Sequence, residues 1–291
     1  MKAGRLGRSV QGMLTNSHDP HSFGTRIGDH SALDPAEDPG GRSNSSDHSD
    51  GADAIVAAVD LRRRFGEGEA AVEALAGVTV AFPRRRFAAI MGPSGSGKST
   101  LMHLLAGLDR PTAGTVTLDG VQLDTLDERA LTRLRRDRVG FIFQTFNLLP
   151  VLSAHENILM PLSIAGREVD REWFDQLVQT VGIADRLSHR PAELSGGQQQ
   201  RVAVARALIT RPAVVFADEP SGNLDSRSSN EVLRLLRQAV DEFGQTVVMV
   251  THDAHAASFA DRLLLLADGT IVHDGGAVTA DQALDLMKAV G

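Results

Sequence analysis

The sequence of 291 residues has no cysteine, no tyrosine and few aromatic residues, which make up 4% of it. Without cysteine, the chain can form neither a disulfide framework nor a thiolate metal site. Without tyrosine, any aromatic contact with a ligand has to come from another residue type. The absence of cysteine is compatible with a cytosolic protein.

An excess of basic residues and long apolar runs are also missing. The formal net charge is −7 and the isoelectric point is about 5.8, which argues against general binding to DNA or RNA. No stretch reaches the roughly 18 to 20 apolar residues of a membrane-spanning helix. Residues 1–12 lack the apolar centre of a secretory signal. We therefore expect any membrane contact to be made through a partner.

The first 52 residues are poor in apolar side chains and follow neither strand nor helix periodicity, as in Ser43–Gly51. Such a segment cannot bury enough apolar surface to offset the entropy lost on ordering. The sequence thus predicts a disordered polar tail over residues 1–52. A folded domain over residues 53–291 is expected to follow, since 42% of the chain is hydrophobic.

Short apolar runs predict the strands of this domain. Runs of about five residues that are apolar throughout are typical of parallel strands buried on both faces. Three such runs are Phe87–Met91, Ala213–Ala217 and Thr246–Val250. Two further strands are predicted at Ala54–Leu61 and Val78–Phe82.

Helical patterns separate the strands. Within Glu231–Phe243, apolar residues recur at positions 232, 235, 236, 239, 240 and 243, which form one face of a helix. Strands that alternate with helices indicate an α/β fold. The interval from about Gln144 to Leu194 also has helical character, and we predict an inserted helical subdomain at about 145–200.

The segment Gly92–Thr100, GPSGSGKST, lies between a predicted strand and a helical pattern. It matches the pattern G-x-x-x-x-G-K-[ST], whose glycines let backbone N–H groups point at phosphate oxygens. Lys98 would place its charge at the β- and γ-phosphates, and the Ser99 hydroxyl would coordinate Mg²⁺. The predicted ATP contacts in this segment are Gly92, Ser94, Gly95, Ser96, Gly97, Lys98, Ser99 and Thr100.

Two acidic residues, Asp218 and Glu219, follow the buried run Ala213–Ala217. Carboxylates also stand at helix starts for structural reasons. Their place at the end of a core strand, in a chain with a phosphate loop, favours a catalytic site instead. Asp218 is predicted to hold Mg²⁺, and Glu219 to polarise the water that attacks the γ-phosphate.

A second predicted anion-binding helix start is Leu194–Gln198, LSGGQ. Ser195 is a good N-cap, and the glycines after it allow a phosphate to approach the helix closely. A plain capped helix is the structural alternative. The following Gln199, Gln200 and Arg201 are predicted to be mostly solvated surface, with Arg201 as a further candidate for phosphate contact.

The set of motifs resembles the nucleotide-binding subunits of ABC transporters, over about residues 54–275. In family order they are the phosphate loop, Gln144 of the Q-loop, the signature, the acidic pair, the D-loop Ser221–Asp225 and the switch histidine His252. The resemblance implies a P-loop NTPase fold with a mainly parallel core sheet, an antiparallel β subdomain and an inserted α-helical subdomain. It also implies an ATP hydrolase that uses ATP and Mg²⁺.

Subunits of this family work as head-to-tail pairs, so the resemblance implies a second copy or a related ATP-binding chain. Each ATP lies between the phosphate loop of one chain and the signature of the other. Ser195, Gly196 and Gly197 would then contact the ATP of the second chain, and Asp225 would help to align the two chains.

The resemblance also implies roles for two residues next to the γ-phosphate. Gln144 would reach Mg²⁺ or the attacking water when the site is closed. His252 would hold the γ-phosphate and orient the water and Glu219.

At the adenine position the chain departs from the family, which usually stacks a tyrosine on the base. Phe65 takes that place here. Stacking needs only an aromatic face, so phenylalanine should serve. The alternative is that Phe65 is an ordinary core residue.

Finer similarity points to the macrolide-exporter and lipoprotein-releasing branch, on Phe65–Glu69, Leu108–Pro111 and Phe141–Pro150. Such subunits drive a separate transmembrane permease, which implies a cytoplasmic protein held at the inner face of the cell membrane. The permease would dock on Phe146–Pro161, although several apolar residues there must be core. Some members of the branch serve non-transporting complexes, as in cell division, and this remains the alternative function.

Two other classes of ATPase fit the sequence less well. DNA-maintenance ATPases carry long coiled coils or cysteine-rich zinc insertions between the phosphate loop and the signature, and the interval here has neither. Translation factors of this type carry two such domains in one chain, and this chain has one phosphate loop and one signature.

Overall fold

The computed structural model describes residues 53–66, 68 and 71–290. The tail predicted over residues 1–52 lies outside the described residues. The boundaries predicted for the domain, 53–291, and for the helical subdomain, about 145–200, stay predictions.

Within the described residues, ten strands form two sheets. One sheet has four antiparallel strands in the order β2-β1-β4-β5, and the other has six strands in the order β10-β9-β3-β8-β7-β6. In the second sheet only β10 runs antiparallel to its neighbour. The strands are β1 Ala54–Phe65, β2 Val72–Pro83, β3 Phe87–Met91, β4 Ala113–Leu118, β5 Val121–Gln122, β6 Val139–Phe143, β7 Val214–Asp218, β8 Val247–Val250, β9 Arg262–Ala267 and β10 Thr270–Gly276.

The central strands are apolar throughout because they separate two hydrophobic cores. In β3, the side chains of Phe87, Ala89 and Met91 enter the core on the helical side. Ala88 and Ile90 enter the core shared with the antiparallel sheet. Successive side chains of a strand point to opposite faces, so a strand between two cores needs an apolar residue at every position.

In this part of the chain, eight α-helices accompany the two sheets. They are α1 Lys98–Leu105, α2 Glu128–Arg138, α3 Ala154–Ala165, α4 Arg171–Val181, α5 Gly196–Leu208, α6 Ser226–Phe243, α7 Ala254–Ala257 and α8 Ala280–Val290. Helix α6 shows why they form: Asp225 caps its first turn, Gly244 ends it in the left-handed conformation, and an apolar face that includes Leu236 is buried. Within the described residues, none of the helices is long and apolar enough to cross a membrane.

The single tryptophan joins the inserted helices to the body of the domain. Helices α3, α4 and α5 lie between β6 and β7 in the chain, without an intervening strand. Trp173 of α4 is 7% exposed. Its Nε1–H donates to the carbonyl of Ile209 at 3.2 Å, and its ring meets Phe243 of α6 edge-on at 4.9 Å between centroids. Trp173 therefore lies at the contact between α4 and α6, and its surroundings depend on how these two helices pack.

The predicted architecture agrees with these elements. The mainly parallel core sheet, the antiparallel sheet and the helices inserted between β6 and β7 are all present. Helix α6 starts five residues before the predicted start at Glu231, because the cap at Asp225 lies upstream of its apolar face.

Candidate active site

The site lies at the carboxyl edge of the parallel sheet, where four strands end side by side. Strand β3 leads into the phosphate loop, and β6 ends next to Gln144. Strand β7 ends at Asp218, which pairs in register with Val250 of β8 and Phe143 of β6. Parallel strands thus bring to one edge residues that are far apart in the sequence, as open α/β sheets do at their binding sites.

The phosphate loop needs glycine at two tight positions. Gly92 and Gly97 have φ angles of 152° and 100°. A Cβ atom at Gly92 would lie 2.0 Å from the carbonyl oxygen of Leu266, and one at Gly97 would lie 2.3 Å from that of Ala74. Only glycine fits such close backbone contacts at positive φ. The loop is therefore shaped by its backbone, with α1 beginning at Lys98.

Lys98 is held inside the loop. Its Nζ donates hydrogen bonds to the carbonyl oxygens of Gly92 and Pro93 at 2.9 and 2.7 Å. Burial lowers the pKa of Lys98, and the charges of Glu219 and Asp218 oppose that shift. The ammonium group is thus half-buried and lies next to two carboxylates. It offers a positive charge to an anionic ligand in the loop.

Asp218 and Ser99 form a pair of hard oxygen donors. Burial raises the pKa of Asp218; His103 opposes this shift and Glu219 adds to it. A hydrogen bond from Ser99 and the charge of Lys98 also lower the pKa of Asp218. A carboxylate beside a hydroxyl is a donor set that suits Mg²⁺.

Glu219 faces the switch histidine. Nδ1 of His252 lies 2.8 Å from Oε1 and 2.7 Å from Oε2 of Glu219. The carboxylate accepts, so Nδ1 carries the proton and Nε2 stays free for another partner. Glu219 has a φ of 46°, and its backbone N–H donates to the carbonyl of Val250 at 2.9 Å. This turn at the end of β7 directs the Glu219 side chain towards His252.

Gln144 is tied to the D-loop of its own chain. Its Nε2 donates to Oδ1 of Asn223 at 3.2 Å, and Nδ2 of Asn223 donates to the carbonyl of Gln144 at 3.1 Å. A Cβ atom at Gly222 would lie 2.7 Å from Nε2 of Gln144 and 3.3 Å from Oε2 of Glu219. The structure thus brings Gln144 and Glu219 to the same glycine. The motifs alone did not indicate the contact with Asn223.

The signature and Asp225 lie against helix α6. Ser195 and Gln198 form a reciprocal capping box at the start of α5. A Cβ atom at Gly197 would lie 2.8 Å from Oγ of Ser228. The carboxylate of Asp225 accepts from the backbone N–H and the hydroxyl of the same Ser228 at 3.0 and 2.8 Å. These bonds hold the pKa of Asp225 below its usual range.

Phe65 lies at the end of β1 and is 44% exposed. The guanidinium carbon of Arg63 lies 4.6 Å from the centre of its ring. This exposure rules out the alternative of an ordinary core residue. Stacking of this ring on adenine stays a prediction.

The expectation of a solvated surface after the signature is wrong for two residues. Gln200 is fully buried, because it lies on the same inner face of α5 as Gly197 and Val204. Arg201 forms an ion pair with Glu231 and donates to the carbonyl of Val181. Its guanidinium is therefore bonded to residues of its own chain. Helical periodicity counted from the apolar residues of α5 would have placed Gln200 inside.

Comparisons with known proteins agree with this site. The family described as ABC transporter matches residues 75–222. The macrolide export ATP-binding/permease protein MacB of Marinobacter nauticus is 48% identical over 225 residues, which cover 77% of this chain and 35% of that protein. The lipoprotein-releasing system ATP-binding protein LolD of Legionella pneumophila is 43% identical over 221 residues, which cover 75% of this chain and 97% of that protein. The chain spans about a third of the length of the MacB relatives.

Solved structures agree as well. The ATP-binding cassette MJ0796, described as a dimer in a post-hydrolysis state with ADP and Pi, superposes with a TM-score of 0.70 at 38% identity. The match covers 77% of this chain and 99% of that one. With the phosphate loop, the acidic pair and the signature in place, these matches identify the chain as a member of the ABC transporter family, with the ATP-binding and ATP-hydrolysing cassette of that family.

Proposed function

We propose that the chain works as a pair of identical cassettes that hydrolyse Mg-ATP between them and drive a separate membrane permease. The observation that carries the proposal is the contact of Glu219 with His252, next to the phosphate loop and Asp218. That edge of the sheet combines a cation for phosphate, oxygen donors for a metal and a carboxylate held by an imidazole. The names of the relatives favour transport over the alternative of a non-transporting complex.

The phosphate loop and Lys98 bind the β- and γ-phosphates in this proposal, and Ser99 and Asp218 hold Mg²⁺. Among the described residues, no group of three or more His, Asp or Glu side chains could bind a metal by itself. An ion at Ser99 and Asp218 therefore takes its other ligands from phosphate and water, which is usual for Mg²⁺. The bound ion would supply charge neutralisation on the phosphate oxygens.

Hydrolysis needs a water in line with the γ-phosphate and a group that accepts its proton. Glu219 is proposed as that base, and His252 orients its carboxylate through Nδ1. Gln144 enters the site by exchanging its bonds with Asn223 for contacts with water or metal. ATP binding on one chain is proposed to drive that exchange only when the second chain closes the site.

The second copy supplies the signature. The exposed N-cap Ser195 and the start of α5 would offer a hydroxyl and backbone N–H groups to a phosphate of the facing chain. The carboxylate of Asp225 accepts a hydrogen bond from Ser228. In the proposed dimer this holds the D-loop between the two ATP sites. The dimeric MJ0796 cassette supports this arrangement for a relative at 38% identity.

Turnover should depend on protein concentration if the site is shared. We expect the ATPase rate per chain of the wild-type protein to rise with concentration and then level off as dimers fill. The measurement is phosphate release at saturating Mg-ATP over a hundredfold range of protein concentration. A rate per chain that stays constant down to concentrations at which light scattering finds monomers would contradict the shared site.

Phe65 is proposed to stack on adenine. Replacement by alanine should weaken ATP binding by about tenfold, because loss of base stacking costs about 1–3 kcal/mol. Phe65→Tyr should bind ATP like the wild type. The measurement is calorimetric titration with ATP and, as a matched control without a base, with inorganic triphosphate, whose affinity should not change. Equal losses for both ligands would show that Phe65 acts on the phosphate loop instead.

The proposed permease site is an apolar groove beside Gln144. A cavity of about 390 Å³ has a lining that includes Leu108, Phe141, Phe143, Met160, Pro161 and Ile164, together with Arg135 and Arg206. Within the predicted docking segment, Leu149 and Val151 are exposed, whereas Ile158 is core. The apolar lining suits the apolar face of a short amphipathic helix. Docking there would hold the chain at the inner face of the membrane.

Ile164 offers a test of this groove, since its side chain is 66% exposed on α3. Ile164→Asp should abolish sedimentation of the protein with inverted membrane vesicles that carry the permease, and leave the ATPase of the free protein unchanged. Val272→Asp, at an exposed position of β10, is the control that should still sediment. Binding of both variants to the vesicles would place the permease elsewhere.

A further inference from the structure

Gln200 is a buried amide that touches both loops of the hydrolytic site. Its Nε2 donates to the carbonyl of Pro220 at 2.6 Å and to the carbonyl of Phe143 at 3.3 Å. Pro220 directly follows Glu219, and Phe143 directly precedes Gln144. One side chain of the signature helix thus holds the backbone next to each of the two residues that act on the attacking water.

Arg206, further along the same helix, holds the other end of the Gln144 loop. Its guanidinium donates to the carbonyls of Asn147 and Phe146 at 2.5 and 2.9 Å. Both of these loop residues have positive φ angles, 49° and 61°. Burial lowers the pKa of Arg206. The loop from Phe143 to Asn147 is therefore bound to α5 at both ends.

The chemistry of Gln200 argues against a simple filling role. A buried amide costs about 1–3 kcal/mol for each polar atom left without a partner, and Oε1 of Gln200 has none among the described residues. An apolar side chain of the same size would fill the space without that cost. The amide instead donates to two carbonyls: the Pro220 carbonyl takes the shorter bond, and the Phe143 carbonyl also accepts from the N–H of Phe146 at 3.2 Å.

We propose that Gln200 is a positioning residue for hydrolysis, with Arg206 as a second support. The proposal rests on the proposed function, in which the start of α5 binds the ATP of the facing chain. Because α5 is one continuous helix of 13 residues, a shift at Ser195 moves Gln200 with it. Through its two hydrogen bonds, Gln200 then moves the backbone beside Glu219 and the backbone beside Gln144 at the same time. The attacking water is therefore aligned only after the second chain has bound.

The test is Gln200→Met, which keeps the length of the side chain and removes the donor. We expect kcat to fall by about 10- to 100-fold, because a misplacement of about 1 Å at a reacting group costs that much. KM for ATP should stay within about threefold. In the Glu219→Gln background, ATP-driven dimer formation measured by light scattering should be retained. Gln238→Met, the same change at a partly exposed position of α6 bonded to Glu242, is the control with unchanged kcat.

Three outcomes are decisive. If the wild type hydrolyses ATP and Gln200→Met does so within twofold of it, the positioning role is wrong and the proposed function stands. If kcat and ATP-driven dimer formation are lost together, Gln200 is a structural residue. If the wild type itself has no Mg-ATPase as a dimer, the proposed function fails first. Should Gln200→Met not fold, Arg206→Lys, which keeps one of two bonds to the loop, must show the same loss of kcat at unchanged KM.

Discussion

Replacement of Glu219 by glutamine is expected to lower ATP turnover by about 10²- to 10⁴-fold, the contribution typical of a positioned general base. The amide has the same shape as the carboxylate and can still accept from Nδ1 of His252 through its oxygen. It cannot take a proton from water. Binding of ATP, which depends on the phosphate loop, should be close to that of the wild type.

The measurement combines turnover and assembly. Phosphate release is followed at saturating Mg-ATP, and the size of the protein is measured with and without Mg-ATP. The variant should accumulate ATP-bound dimers because it closes the site but does not hydrolyse. Glu242→Gln, at an exposed position of α6, is the matched control with wild-type turnover. Turnover of Glu219→Gln within tenfold of the wild type would mean that another group accepts the proton.

Replacement of Lys98 by alanine should weaken ATP binding by about 10- to 150-fold. A hydrogen bond from a charged donor contributes about 1.5–3 kcal/mol, and each 1.4 kcal/mol is a factor of ten in affinity. Nζ is held by the carbonyls of Gly92 and Pro93 at the centre of the loop, so its charge faces a ligand bound there. The charges of Glu219 and Asp218 favour the charged form of Lys98.

The affinity change is measured by calorimetric titration with Mg-ATP and with Mg-ADP. The loss should be larger for ATP, because Lys98 is proposed to contact the β- and γ-phosphates. Lys288→Ala on α8, whose lysine pairs with Asp285, is the control at a surface position. Wild-type affinity of Lys98→Ala for ATP would contradict the placement of the nucleotide in this loop.

The individual parts of the site can be predicted from the sequence because each is a short contiguous motif. GPSGSGKST, LSGGQ and the acidic pair each contain the residue types that their chemistry needs. The apolar run of β3 is also local, and the strand has the predicted bounds Phe87–Met91. Residue roles within the site stay predictions until variants are measured.

Other features depend on contacts between distant segments, which no local pattern contains. Strand β2 begins at Val72, six residues before the predicted start, because the alternation of exposed and buried residues there is set by pairing with β1. The bonds between Gln144 and Asn223 join residues 79 positions apart. Helical periodicity places Gln200 on the inner face of α5, but its bonds to the carbonyls of Pro220 and Phe143, 20 and 57 positions away, depend on tertiary packing.

Trp173 gives this chain an optical property of its own. Because the chain has one tryptophan and no tyrosine, its near-ultraviolet emission arises from a single indole, seated between α4, Ile209 and Phe243. A rotation of the inserted helices against α6 would change the polarity around that indole and its contact with the Arg211 guanidinium, whose carbon lies 4.9 Å from the ring centre. Stopped-flow fluorescence without an attached dye would therefore time such a rotation after addition of nucleotide.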